Sequence, residues 1–183
     1  MQRHANFIAG KWAPPQAGAF YETHNPAHPT EALGEFPSSS KPDAEAAVDA
    51  AEAALPAWDE TPGSQRGALL FRFAQLLEDS KTELAKIITL EQGKALGEST
   101  GEVSRAAVEA RYMAGEASRP LGETFPTERA GFSCYTVREP LGVVATISPW
   151  NFPVVTPVRK IAAAARFSAH CCRTRPAAGN CNG

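Results

Sequence analysis

Val143-Val144-Ala145-Thr146-Ile147 is a continuous β-branched and apolar run, the mark of a strand buried on both faces of a sheet. Pro140-Leu141-Gly142 makes a turn before it, and Pro149 and Pro153 bracket a loop after it. From Val154 to about Ala165 the pattern returns to helix. Strand, tight loop and helix in that order form one βα unit, of the kind that opens a nucleotide-binding α/β domain.

The segments upstream fit an α/β chain. Residues 1–40 read as short strands and turns: Phe7-Ile8-Ala9-Gly10-Lys11-Trp12 as a hairpin, Asn25-Pro26 and His28-Pro29 as a turn, and Leu33 to Phe36 as a strand. Residues 42–57 read as a helix with Pro42 in its first turn. Ala46, Ala47, Ala50, Ala53 and Ala54 are expected to pack closely along one face, with Pro56 and Trp58 ending it. Residues 64–91 carry the strongest helical spacing, through Leu69, Phe73, Leu76 and Leu77 and then Leu84, Ile87, Ile88 and Leu90. Asp79-Ser80 interrupts that run, since both prefer caps, and Gly93 closes it. Residues 98–118 form a third helix, with Val103, Ala106, Ala107, Ala110, Met113 and Ala114 on one side and Pro120 as its stop. Phe132, Cys134, Tyr135 and Val137 suggest an extended strand.

Composition excludes several classes. With 43% hydrophobic and 21% charged residues, the 183-residue chain is neither disordered nor membrane-spanning. A net charge of −2 and the absence of a basic stripe argue against a nucleic-acid partner. No secretory pattern opens the chain, so a cytoplasmic location is expected. Three of the four cysteines, Cys171, Cys172 and Cys181, crowd into the last thirteen residues, unlike a disulfide framework. A metal site built from them and His170 is disfavoured, because adjacent cysteines rarely ligate one ion and the spacing fits no zinc pattern. No metal is expected.

Together, Pro140-Leu141-Gly142-Val143-Val144, Ile147-Ser148-Pro149-Trp150-Asn151-Phe152-Pro153 and Arg159-Lys160-Ile161 resemble the aldehyde dehydrogenase superfamily. The Phe7–Trp12 hairpin, the Asn25-Pro26 turn, the Arg66–Leu77 helix and Leu90-Glu91-Gln92-Gly93-Lys94 sit in that family's order. The resemblance runs from about Asn6 to about Ala163. It implies an α/β fold: the N-terminal part of the aldehyde dehydrogenase fold, with an incomplete Rossmann-like cofactor-binding domain. Residues 1–165 would form that portion, with an oligomerisation-type strand within 119–141 and the first βα unit at 142–165.

The family oxidises aldehydes to acids with NAD or NADP. A cysteine thiolate attacks the aldehyde, hydride leaves for the nicotinamide, and a glutamate-activated water releases the acid. By resemblance, Asn151 is the donor whose side-chain amide holds the developing oxyanion. The role needs a neutral group, since a lysine would over-stabilise the oxyanion against hydride departure. An asparagine between two prolines is otherwise an ordinary turn residue. Ile147, Ser148, Pro149 and Trp150 match the stretch whose backbone holds the ribose and nicotinamide end. Trp150 also reads as a core aromatic. The missing GxGxxG does not count against the family, which lacks it, and Gly93-Lys94 is no P-loop.

Phe152 matches an aromatic of the aldehyde tunnel, with core packing an equal reading. Arg159, eight residues after the asparagine, matches the arginine that grips a distal carboxylate in semialdehyde dehydrogenases, where its planar fork bonds bidentately. The substrate expected is therefore a small carboxylated aldehyde such as succinic or α-ketoglutaric semialdehyde. The alternative for Arg159 is a solvent-facing helix arginine. Lys160 resembles a family lysine near the active site. Glu91, Lys94, Glu98 and Glu102 read as a solvated, charge-paired helix face.

Residues 166–183 depart from the family. They are rich in Arg and Cys, show no apolar strand and lack the family's Lys-Pro segment, which predicts a shifted reading frame or a premature stop near residues 163–166. The family's nucleophilic cysteine and glutamate base are not among these residues, and Cys134 falls in the subunit-contact strand. The chain alone is expected not to oxidise aldehydes. Besides the enzyme class, an inert or interaction piece remains open, whereas a full-length relative would be a homo-oligomer.

Overall fold

A computed structural model describes residues 2–119, 122–167 and 170–176. Two antiparallel hairpins come first: β1 (Asn6–Ile8) with β2 (Lys11–Ala13), then β3 (Phe20–Asn25) with β4 (His28–Pro37). The first turn places Ala9 and Gly10 at φ 51° and 75°, and Phe7 meets Trp12 across the pair at 4.9 Å between ring centres. In the second, the Asn25 side-chain oxygen accepts from the Ala27 N–H at 3.0 Å, an asparagine turn as the Asn25-Pro26 signal predicts.

Helix α1 (Lys41–Glu60) begins where the Asp43 carboxylate accepts the Ser40 N–H at 2.8 Å. The helix runs through Pro56 rather than ending there. Pro56 and Glu52, whose carbonyl the proline leaves without its helical partner, both face solvent, so water can take that bond. The alanine face does not pack tightly either. Ala51 and Ala54 line one wall of an open apolar cleft of about 450 Å³, with Leu55 and Trp58 beside them and Gly142, Val143, Val144 and Ala164 opposite.

Helices α2 (Gly63–Asp79) and α3 (Lys81–Gln92) break at Ser80, as Asp79-Ser80 suggests, and Gly93 caps α3 at φ 73°. Helix α4 (Leu96–Glu116) is the centre of the molecule. Its Val103, Ala106, Ala107 and Ala110 are fully buried. On α2 the inward positions are Leu70, Ala74 and Leu77, while Leu69 and Leu76, expected inside, are 52% and 54% exposed. Small residues set this rotation. A side-chain carbon on Gly67 would lie 2.8 Å from the Ala114 carbonyl oxygen, so α2 turns its least bulky line towards α4.

Next come β5 (Thr124–Phe125), β6 (Cys134–Pro140) and α5 (Val155–Phe167). Val155 and Val158 of α5 join the α2–α4 core, and Ala162 packs with Leu70 and Ala114. The final element, β7 (His170–Pro176), lies antiparallel to β6 with Val137 opposite Arg173. The tail holds a strand, though not an apolar one: backbone pairing needs no apolar composition, and β6 offers a free edge. Pro120, Cys181 and the side chains of His170, Cys171 and Cys172 lie outside the described residues.

The largest correction concerns Val143 to Ile147. This run belongs to no strand, and Val143, Val144 and Ile147 are 36%, 42% and 88% exposed. A strand needs a partner edge for its N–H and C=O groups, and no described element lies alongside to provide one. The β6–β7 sheet and the α2–α4–α5 helices carry the α/β architecture without it.

Candidate functional site

The loop from Ile147 to Val154 joins the unpaired run to α5, and its main chain is held from several sides. Gln92, at the end of α3, donates from Nε2 to the Trp150 carbonyl at 2.5 Å. Lys94, between α3 and α4, donates from Nζ to the Asn151 carbonyl at 2.8 Å, and its ammonium sits 4.5 Å from the centre of the Phe152 ring. On α4, Glu102 accepts through Oε1 from the N–H groups of Val154 and Val155, at 2.8 and 3.2 Å. A carboxylate at a helix N-terminus satisfies donors that have no intrahelical partner and complements the helix dipole. Glu102 Oε2 accepts from Lys94 Nζ at 2.6 Å. Lys160, on α5, donates to the Ile147 carbonyl.

These hydrogen bonds fall on backbone atoms, and most of the loop's side chains stay open to solvent. Ile147 and Trp150 are 88% and 83% exposed, and Phe152 is 47% exposed. Trp150 is therefore not a core aromatic, and Phe152 is only partly covered. Ser148 is half-buried and Pro149 exposed. Asn151 is exposed, and its side-chain amide makes no hydrogen bond among the described residues. A free amide on a loop with a fixed main chain can donate to an incoming oxygen without first breaking a bond.

Arg159 projects from α5 and reaches α4, donating from Nη2 to Glu109 Oε1 at 2.9 Å. Arg105 Nε donates to the same oxygen at 2.9 Å. The hydrogen bond from Arg159, and behind it that from Arg105, hold the Glu109 carboxyl below the usual carboxylate range. Arg159 remains 54% exposed on its side chain, enough to meet a solute anion.

Lys94 and Glu102 correct the reading of a solvated charged face. Their side chains are 13% and 1% exposed and form the loop's support, while Glu91 and Glu98 are exposed as expected. Spacing alone cannot separate these cases. The carboxylate of Glu102 and that of Glu98 lie one helical turn apart, and only the tertiary approach of the loop buries one of them. The sequence signal that could have found the pair is Gly93-Lys94, a left-handed cap that turns the lysine back over the loop. Cys134 is half-buried on β6 in the three-stranded sheet, not on the loop.

The stretch from Ile147 to Trp150 offers two exposed apolar side chains, and the Ile147 and Trp150 carbonyls are held fixed by Lys160 and Gln92. No helix among the described residues is long and apolar enough to cross a membrane.

Comparison with known proteins gives the family. The α-ketoglutaric semialdehyde dehydrogenase of Bacillus subtilis is 40% identical over 161 residues, covering 88% of this chain and 33% of that enzyme. The succinate-semialdehyde dehydrogenase [NADP(+)] of Escherichia coli is 37% identical over 158 residues, covering 86% of this chain and 33% of its own length. The crystal structure of succinate-semialdehyde dehydrogenase from Burkholderia pseudomallei superposes with a TM-score of 0.88 at 36% identity, over 92% of this chain and 35% of that one. The chain thus spans about a third of the length of the curated relatives it matches. With residues 12–171 matching the model of the aldehyde dehydrogenase family, the chain belongs to that family.

Proposed function

We propose that this chain supplies the oxyanion donor and the nicotinamide-side loop of a site that oxidises a carboxylated semialdehyde to its acid with NAD or NADP. The observation that carries the reading is Asn151: its amide is exposed and without a hydrogen bond among the described residues, while its own carbonyl is pinned by Lys94. In this reading the Asn151 amide donates to the aldehyde oxygen as negative charge builds there, and being neutral it does not trap that charge. Ile147, Ser148, Pro149 and Trp150 face the cofactor, which when bound supplies the hydride acceptor. Phe152 borders the path of the aldehyde.

Arg159 sets the substrate class. Its guanidinium is half exposed and already bonded to one carboxylate, Glu109, at 2.9 Å. A substrate carboxylate would share or replace that contact. The semialdehydes named for the Bacillus subtilis and Escherichia coli relatives carry such a group. Within a polypeptide holding the whole family fold, Asn151→Ala is expected to lower kcat roughly 100- to 1,000-fold. Undiminished turnover of succinic semialdehyde would refute the role.

None of the four cysteines of the chain stands in the context of the family's nucleophile, and we read this chain by itself as forming no acid. Purified chain mixed with succinic semialdehyde and NAD+ or NADP+ should produce no reduced cofactor. A rise in NADH or NADPH would contradict this. A second reading, an association piece, is favoured by the unpaired Val143–Ile147 run. Light scattering of the purified chain tests it: a monomer at all concentrations rules out self-association through that run.

A further inference from the structure

Glu102, its side chain 1% exposed, is one of two buried carboxylates among the described residues, the other being Asp43, and nothing in the reaction described above uses it. A buried charge is costly unless it is paired and every lone pair finds a donor. Here both oxygens are occupied. Oε1 takes the N–H groups of Val154 and Val155, and Oε2 takes Lys94 Nζ. Lys94 passes the connection on to the Asn151 carbonyl and the Phe152 ring. The support beneath is stiff. Glu102 stands on α4 beside Val103 and Ser99, both fully buried, and the Ser99 hydroxyl lies 3.1 Å from that of Thr89 on α3.

We propose that Glu102, acting through Lys94, is a positioning residue for the Asn151 amide. The proposal rests on the reading of Asn151 as the oxyanion donor. Lys94 fixes the peptide that leaves Asn151, and Glu102 fixes the two peptides that open α5. The loop between these points is held at both ends, so the direction of the Asn151 side chain is left to its own two torsions. A donor must be aimed before charge develops if it is to lower the barrier. Gln92 adds a third hold at Trp150.

The test uses the full chain labelled with ¹⁵N and reads the three tryptophan indole N–H resonances and the Asn151 side-chain amide pair. Trp150→Phe and Asn151→Asp assign the loop signals. Glu102→Gln keeps an acceptor for Val154 and Val155 but loses the ion pair. Lys94→Met removes the ammonium at similar volume. In both variants the Trp150 indole and Asn151 amide signals should shift or broaden, while those of Trp12 and Trp58 and the far-ultraviolet circular dichroism stay as in the parent. Unmoved Trp150 and Asn151 signals overturn the proposal. So does a general displacement of all three indoles, which would mark a merely structural role. Should Glu102→Gln not fold, Lys94→Met decides alone, because its side chain lies nearer the surface. These spectra need no turnover. Failure here leaves the oxyanion role of Asn151 standing, whereas undiminished turnover by Asn151→Ala would remove that role and leave the clamp.

Discussion

Arg159 Nη2 donates to Glu109 Oε1 at 2.9 Å, so the cation suited to a substrate carboxylate already holds a carboxylate of the chain itself. The bond lowers the Glu109 pKa below its ordinary 4.5. A carboxyl depressed on folding stabilises above its unfolded pKa, and the contribution is lost as pH falls through the lower folded value. The stability of the parent over Glu109→Gln should therefore be level from neutral pH to about 4.5 and shrink below it. The Arg159 side chain is 54% exposed and solvent screens the pair, so the difference should not exceed about 1 kcal/mol. Thermal unfolding of both proteins across that range checks it. A gap that widens towards acid would refute it.

Gly67 and Gly101 make a matched pair of tests. A carbon added at Gly67 would lie 2.8 Å from the Ala114 carbonyl oxygen, a main-chain atom inside the α2–α4 contact, whereas one added at Gly101 meets nothing within 4 Å. Alanine gains about 1 kcal/mol over glycine in a helix interior. At Gly101 that gain should appear nearly whole. At Gly67 overpacking of about 1–3 kcal/mol outweighs it, and the helices part. Urea midpoints for Gly67→Ala below the parent and Gly101→Ala above it are expected. Equal shifts of one sign would deny the close approach of the two helices.

Arg66 ties together the ends of two helices. Its side chain donates to the carbonyls of Trp58 and Thr61 at the end of α1, at 3.2 and 2.7 Å, and to that of Arg166 near the end of α5 at 3.2 Å. Arg66 is 9% exposed, so Arg66→Met keeps the packing but takes a donor from the Thr61 and Arg166 carbonyls, while the Trp58 carbonyl keeps the Thr61 N–H. The cost should be about 3 kcal/mol, read from chemical unfolding. A loss under about 0.5 kcal/mol, typical of surface changes, would show that the carbonyls find water instead.

How far the sequence foretells this structure depends on whether a feature is local. The turn at Asn25, the break at Ser80 and the glycine cap at Gly93 are set by residues within a few positions, and all appear as read. The side of α2 that turns inward is not local. It depends on Gly67 meeting Ala114 across the core, which no helical periodicity records. The same holds for the site. Asn151, Trp150 and Phe152 stand in a motif that names the loop, but the groups that hold it, Gln92, Lys94 and Glu102, come from about 50–60 residues away. Glu102 and Glu98 share a composition and a helix, yet one is buried by a loop and the other is not.

The Val143–Ile147 run separates two physical pictures most sharply. Its composition is that of a strand buried on both faces, and in that setting truncating Ile147 would cost about 2–5 kcal/mol. In the structure Ile147 is 88% exposed, while Leu77 in the α2–α4 core is 7% exposed. Ile147→Ala should thus leave the stability of this chain within about 0.5 kcal/mol of the parent, and Leu77→Ala should cost about 2–5 kcal/mol. The same exposure predicts that Ile147→Lys weakens the binding of an apolar dye, since it removes one of the most open apolar side chains on the surface. Parallel urea unfolding of the two alanine variants is the measurement. A loss at Ile147 matching that at Leu77 would mean that the run is packed in solution, with a partner edge found in another copy of the chain.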